Sequence, residues 1–147
     1  MESQHKIREF RKGDIETVMQ IWLQTNVQTH DFISEHFWLS QYFKVKTVLP
    51  DTEVYVFENI ATNEIMGFIG LDNNYIAGLF VKDECQSNGV GKQLVDYAKN
   101  IKSDLVLKAY TKNPRAINFY LREQFSIGDE TTDIQTGEKE LTLTWHR

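Results

Sequence analysis

The chain has 147 residues, 41% hydrophobic and 25% charged, with a formal net charge of −5 and one cysteine, Cys85. That composition predicts one globular domain over residues 1–147 with a real core. It argues against a nucleic-acid partner, an internal disulfide and a membrane span, because there is no basic cluster, no second cysteine and no apolar run near ~20 residues.

Residues 6–10 predict a short, half-buried first strand, closed by Gly13. Asp14 then reads as an N-cap, followed by Ile15, Val18, Met19, Trp22 and Leu23 at helical spacing. Residues 25–33 interrupt the pattern with polar side chains and read as a loop carrying His30, Asp31 and Phe32. His30 and His36 have no cysteine or acidic pair at ligand spacing, so no metal is expected. Ser34 starts a second helix with Trp38, Tyr42, Val45 and Leu49 on one face, ended by Pro50 and Asp51. Residues 53–60, 65–71 and 75–81 read as three strands joined by short polar turns, an antiparallel meander.

The third of these strands breaks into a polar loop containing Gly89 and Gly91, and a helix begins at Val90 with Val90, Leu94, Ala98 and Ile101 on one face. Strand, glycine loop, helix is the recipe for an anion site, because glycines let backbone approach a ligand and the first helical turn has spare N–H groups. The spelling is neither of two familiar phosphate loops. A P-loop would need glycine at Gln86 and Ser or Thr at Gln93, and the dinucleotide fingerprint needs a third glycine. Residues 105–110 return as a strand, and such a crossover places two strands parallel, with ligands beyond their C-terminal ends at Val81 and Tyr110. Asn113 and Pro114 start another helix, in which Ile117 and Leu121 are core-spaced. Residues 125–134 and 138–145 form a closing hairpin, with Leu141, Leu143 and Trp145 turned inward.

Two motifs carry a family resemblance. Gln86-Ser87-Asn88-Gly89-Val90-Gly91, after Leu79-Phe80-Val81, resembles the acetyl-CoA signature of the GNAT superfamily of N-acetyltransferases. Asn113-Pro114-Arg115-Ala116-Ile117-Asn118-Phe119-Tyr120 is similar to the family's Asn-x-x-Ala-x-x-Phe-Tyr segment. The stretch from Trp22 to Ile33 and the short tail resemble the small bacterial lysine N-acetyltransferases of the YiaC and YjaB type.

The resemblance implies an α+β (α/β) fold, with a mixed, mostly antiparallel central sheet of about seven strands, about four flanking helices and one parallel β-α-β crossover. It implies acetyl-CoA as cosubstrate, no metal, and acetyl transfer to a primary amine, of a protein or peptide lysine, by direct attack in a ternary complex. Leu79, Phe80 and Val81 would hold the pantetheine arm in the manner of an added strand. Gln86, Ser87, Asn88, Gly89, Val90, Gly91 and Lys92 would wrap the pyrophosphate. Asn113 would bind the pantetheine arm, Ala116 and Phe119 would line the cofactor slot, and Tyr120 would protonate the departing thiolate. His30, Phe32, Trp38 and Tyr75 are placed in the acceptor pocket by fold analogy, and Asp72, Glu58 or a water would accept the amine proton. Gln124 and Asp83 depart from the family pattern, where Gly and Pro are usual, and question loop shape rather than chemistry. Cys85 is read as a packing residue. The expected setting is the cytoplasm, as monomer or homodimer, with no membrane or nucleic acid. Acetylation of a small-molecule amine, and a non-catalytic acyl-CoA-binding module, are the alternatives.

Overall fold

The computed structural model describes residues 4–86 and 88–147. Among them, seven strands form one sheet: β1 (His5–Glu9), β2 (Glu53–Asn59), β3 (Ile65–Asp72), β4 (Tyr75–Val81), β5 (Asp104–Tyr110), β6 (Ser126–Thr132) and β7 (Lys139–His146). Four helices accompany it: α1 (Ile15–Thr29), α2 (Glu35–Val48), α3 (Val90–Ile101) and α4 (Pro114–Arg122). The sheet order is β1-β2-β3-β4-β5-β7-β6, and every pairing is antiparallel except β4 with β5. The expected α+β architecture, its meander and its single crossover are all present.

The sheet is buried on both faces at its centre, which explains why β2 is a continuous apolar run rather than an alternating one. Val54 and Val56 face α1 and α2, joining Val18, Met19, Trp22, Trp38 and Phe68 in one core. Tyr55 and Phe57 face the opposite way, joining Ile69, Leu71, Leu94, Val95, Ala98 and Leu143 under α3 and α4.

Four local expectations change. Residues 25–29 continue α1 instead of forming a loop. Their polarity belongs to a helix face, and Asn26 among them is buried. Asp14 stands at the start of α1 but makes no cap bond. Its carboxylate instead takes the Arg11 N–H at 2.7 Å and both Arg8 guanidinium nitrogens, at 2.8 and 3.0 Å. Ile101 and Leu121 are core-spaced, yet they lie at the last turns of α3 and α4 and are exposed. The last hairpin's outer strand, β6, is exposed throughout and stops at Thr132, leaving Ile134 outside it. Gln124 sits at φ 74°, a left-handed position closing α4, which is why glycine suits it.

Candidate active site

The site is made by a split in the sheet. β4 and β5 share one residue pair, Tyr75 with Val106, reinforced by the Val106 N–H to the Asn74 carbonyl at 3.0 Å. Where β4 pairs with β3, Gly70 faces Gly78 but Leu71 faces Ile76, so Ala77 is an extra residue. Such a bulge bends its strand. Beyond it, β4 leaves β5, and two adjoining cavities, of about 550 and 270 Å³, occupy the opening. They share Asn26, His30, Leu79, Phe80, Asn113, Ala116 and Tyr120 as walls.

The larger cavity is lined by Leu79, Phe80, Val81, Gln86, Gly89, Gly91, Lys92, Asn113, Ala116, Phe119 and Tyr120, all named from sequence as cofactor residues. Val90 does not line it, being 2% exposed and packed into the core; Asn88 is exposed and lies outside its walls; Ser87 lies outside the described residues. Gly89 adopts φ 81° at the start of α3. Its carbonyl takes the Gln93 N–H at 3.0 Å, so the amides of Val90, Gly91 and Lys92 have no acceptor within the helix. A Cβ on Gly91 would lie 3.5 Å from the Phe119 ring and 3.8 Å from Leu79, so the first turn of α3 closes on both. The Gln86 side-chain amide donates to the Val81 carbonyl at 3.2 Å, tying the loop to the strand end.

Helix α4 contributes through its cap. The Asn113 carboxamide oxygen accepts the Ala116 N–H at 3.3 Å. Its NH₂ therefore faces His30 Nε2, 3.3 Å away, and must donate. His30 Nε2 is then an acceptor, so the ring proton sits on Nδ1 and is donated to Asn26 Oδ1 at 3.1 Å. Burial pulls the His30 pKa from 6.5 down to about 4, consistent with a neutral ring. One hydrogen-bond chain thus ties α1 to the start of α4 across the split.

The smaller cavity holds three of the four residues expected around the acceptor: His30, Trp38 and Tyr75. Phe32 lines neither cavity and packs edge-on against His30 and Tyr110, with ring centroids 5.7 and 5.5 Å apart. Neither Asp72 nor Glu58 reaches a cavity wall. Glu58 is committed to Arg8 at 2.8 Å and Lys6 at 3.6 Å, and Asp72 is exposed at the β3–β4 turn.

The profile of the acetyltransferase (GNAT) domain matches residues 50–127. The chain belongs to this acetyltransferase family. YiaC, a peptidyl-lysine N-acetyltransferase of Escherichia coli, is 27% identical over 141 residues, covering 95% of each chain. YjaB, also a peptidyl-lysine N-acetyltransferase of Escherichia coli, is 27% identical over 121 residues, 82% of each chain. The apo solution structure of YjaB matches at TM-score 0.85 and 25% identity, covering 96% of this chain and 97% of its own. A candidate streptothricin acetyltransferase of Bacillus anthracis, in complex with acetyl coenzyme A, matches at TM-score 0.58 and 25% identity, covering 65% of this chain and 62% of its own.

Several walls of this acetyltransferase's clefts escape the sequence motifs. Arg115 and Arg122 line the larger cavity beside Lys92, giving it a basic rim. Their spacing of two helical turns on α4 is the signal that could have found them. Lys92 is shared with Glu123 at 3.1 Å and Asp96 at 3.4 Å. Thr25, Gln28 and Thr29 line the same cavity from α1. Glu140, on β7, lines the smaller one. Tyr120 is 6% exposed, walls both cavities, and burial pushes its phenol pKa well up. Cys85 is 5% exposed, lines neither cavity, and its thiol is likewise raised by burial.

Proposed function

We propose that this acetyltransferase moves the acetyl group of acetyl-CoA to a lysine side chain of a protein or peptide, by direct attack in a ternary complex. The observation that carries the reading is the pair of adjoining cavities that share Tyr120 as a wall. One cleft has spare helix amides, a basic rim and an unpaired strand edge, which fit a pyrophosphate and the amide-rich arm behind it. The other is aromatic-walled and has room for an amine on an alkyl stem. The match to two peptidyl-lysine N-acetyltransferases supports the choice of acceptor.

Within this reading the cofactor arm pairs with the free edge of β4 around Leu79 and Val81. The acceptor enters from the smaller cavity as the neutral amine, and its lone pair forms the C–N bond to the thioester carbonyl. The proton that the nitrogen then sheds passes to water, because Asp72 and Glu58 reach neither cavity wall. As the C–S bond breaks, the Tyr120 hydroxyl gives its proton to the departing sulfur. A phenol held fully protonated can serve a thiolate of pKa about 8.5. Orientation supplies much of the rate, since holding two reactants in line is worth ~7–11 kcal/mol. Asn113 and His30 set that geometry from the wall both cavities share.

The test is free-thiol release from acetyl-CoA with lysine peptides, N-terminal peptides, polyamines and aminoglycosides as acceptors. Turnover with lysine peptides above the rest is the expected result. Turnover confined to a small amine would replace the acceptor, and no turnover with any amine would overturn the reading.

A further inference from the structure

Glu140 stands apart from the other sheltered acids of the chain. Among the described residues, every other Asp or Glu that is not exposed has a partner: Asp14 and Glu58 hold Arg8, Glu53 holds Lys102, Glu123 and Asp96 hold Lys92, Glu138 holds Lys112, and Asp104 accepts the Asn74 side-chain amide. Asp133 accepts the Tyr110 hydroxyl at 2.6 Å. The half-buried Glu140 carboxylate makes no hydrogen bond and no ion pair among the described residues, and it lines the smaller cavity. A second polar group in that wall is also unsatisfied. The indole Nε1 of Trp38, a residue 7% exposed, is buried without a hydrogen-bond partner.

The surroundings of Glu140 lack a cation of their own at bonding distance. It pairs in register with Tyr110, so both side chains rise from the same face of the sheet. Burial, then the nearby Asp133, push its pKa above the usual carboxylate value, and Lys108 offsets them in part. Lys108 shares the cavity wall, but its side chain is exposed and makes no ion pair with Glu140. Tyr75 and Tyr110 flank the carboxylate, and Trp22 and Trp38 complete an aromatic enclosure. A sheltered, unpaired carboxylate is costly until a cation arrives, and aromatic faces attract the same cation.

We propose that Glu140 is the specificity residue that seats the ammonium of the acceptor, and that the cavity it shares with Tyr120 takes a primary ammonium on an unbranched alkyl stem, such as a lysine side chain. The stem lies along the aromatic walls while the charge is held at Glu140, and the ammonium gives one proton to water before the neutral amine attacks the thioester. This deepens the acetyltransferase reading above and rests on it.

The experiment compares wild type, Glu140→Gln, Glu140→Asp and Glu138→Gln in steady-state acetylation of a lysine peptide at saturating acetyl-CoA. Loss of one charge-assisted contact predicts that Glu140→Gln raises the peptide KM about 10- to 100-fold. The KM for acetyl-CoA and the rise in Tm that it gives should stay as in wild type. Glu140→Asp should recover part of the loss. Glu138→Gln, which removes a charge paired to Lys112 outside both cavities, should behave as wild type. A peptide KM within about twofold of wild type in Glu140→Gln would overturn this inference alone. So would a parallel loss of acetyl-CoA affinity, which would mark a structural role. Wild type that acetylates no amine would overturn the underlying reading and this inference with it.

Discussion

The two cavities that share Tyr120 are built by different means. The larger draws most of its walls from two stretches of sequence, the end of β4 with the glycine loop and the first turn of α3, and α4 with its cap, and α1 closes it. The smaller collects side chains from α1, α2, β4, β5, α4 and β7. A cleft walled by a glycine loop and a helix cap needs glycines and caps at fixed spacing along the chain. A side-chain-built cavity depends on register and packing between distant elements. An acceptor preference can therefore change at positions such as Trp38, Tyr75 or Glu140 without moving the cleft beside it.

The comparison breaks first at the residue common to both. Tyr120→Phe keeps the ring that packs against Phe119 and Phe125 and removes only the hydroxyl. Turnover should fall about 10²–10⁴-fold, the usual worth of a positioned general acid. Acetyl-CoA affinity, measured by calorimetry, should be unchanged. Normal kcat in that variant would remove Tyr120 from the chemistry and leave it a core tyrosine.

A smaller effect sharpens the same boundary at His30. In the folded chain its pKa is depressed to about 4 from 6.5 by burial. Between those values the unfolded chain binds a proton that the folded chain refuses, so stability falls as pH drops from 6.5 and the loss is complete near 4. The loss can reach about 3 kcal/mol. Protonation would also turn Nε2 into a donor facing the Asn113 NH₂, breaking the link between α1 and α4. Urea unfolding at pH 7.5 and 4.5 should show wild type losing more stability than His30→Gln, which does not titrate. Equal losses would mean that the ring can be protonated in place.

The legibility of the chain follows the same division. Gly89 and Gly91 mark the larger cleft in the sequence because a left-handed turn and a close helix start limit the residues that fit there. Asn113 and Pro114 announced α4 because a cap and a fixed φ are local demands. Thr25 and Thr29 misled because a polar helix face and a loop share a composition, and only packing distinguishes them. Ile101 and Leu121 are core-spaced by periodicity, which carries no information on where a helix overhangs its sheet. Glu140 was silent for a different reason. Its meaning comes from the pairing of β5 with β7 and from an aspartate across the hairpin, neither visible in its neighbours along the chain.

The most direct test of the central claim, two substrates meeting at Tyr120 in one complex, is an initial-rate matrix in acetyl-CoA and a lysine peptide. Direct attack predicts intersecting double-reciprocal lines, since both substrates must be bound before acetyl transfer. The buried Cys85 thiol, outside both cavities, offers no route to an acetylated enzyme. Parallel lines, the mark of a covalent intermediate, would contradict the account.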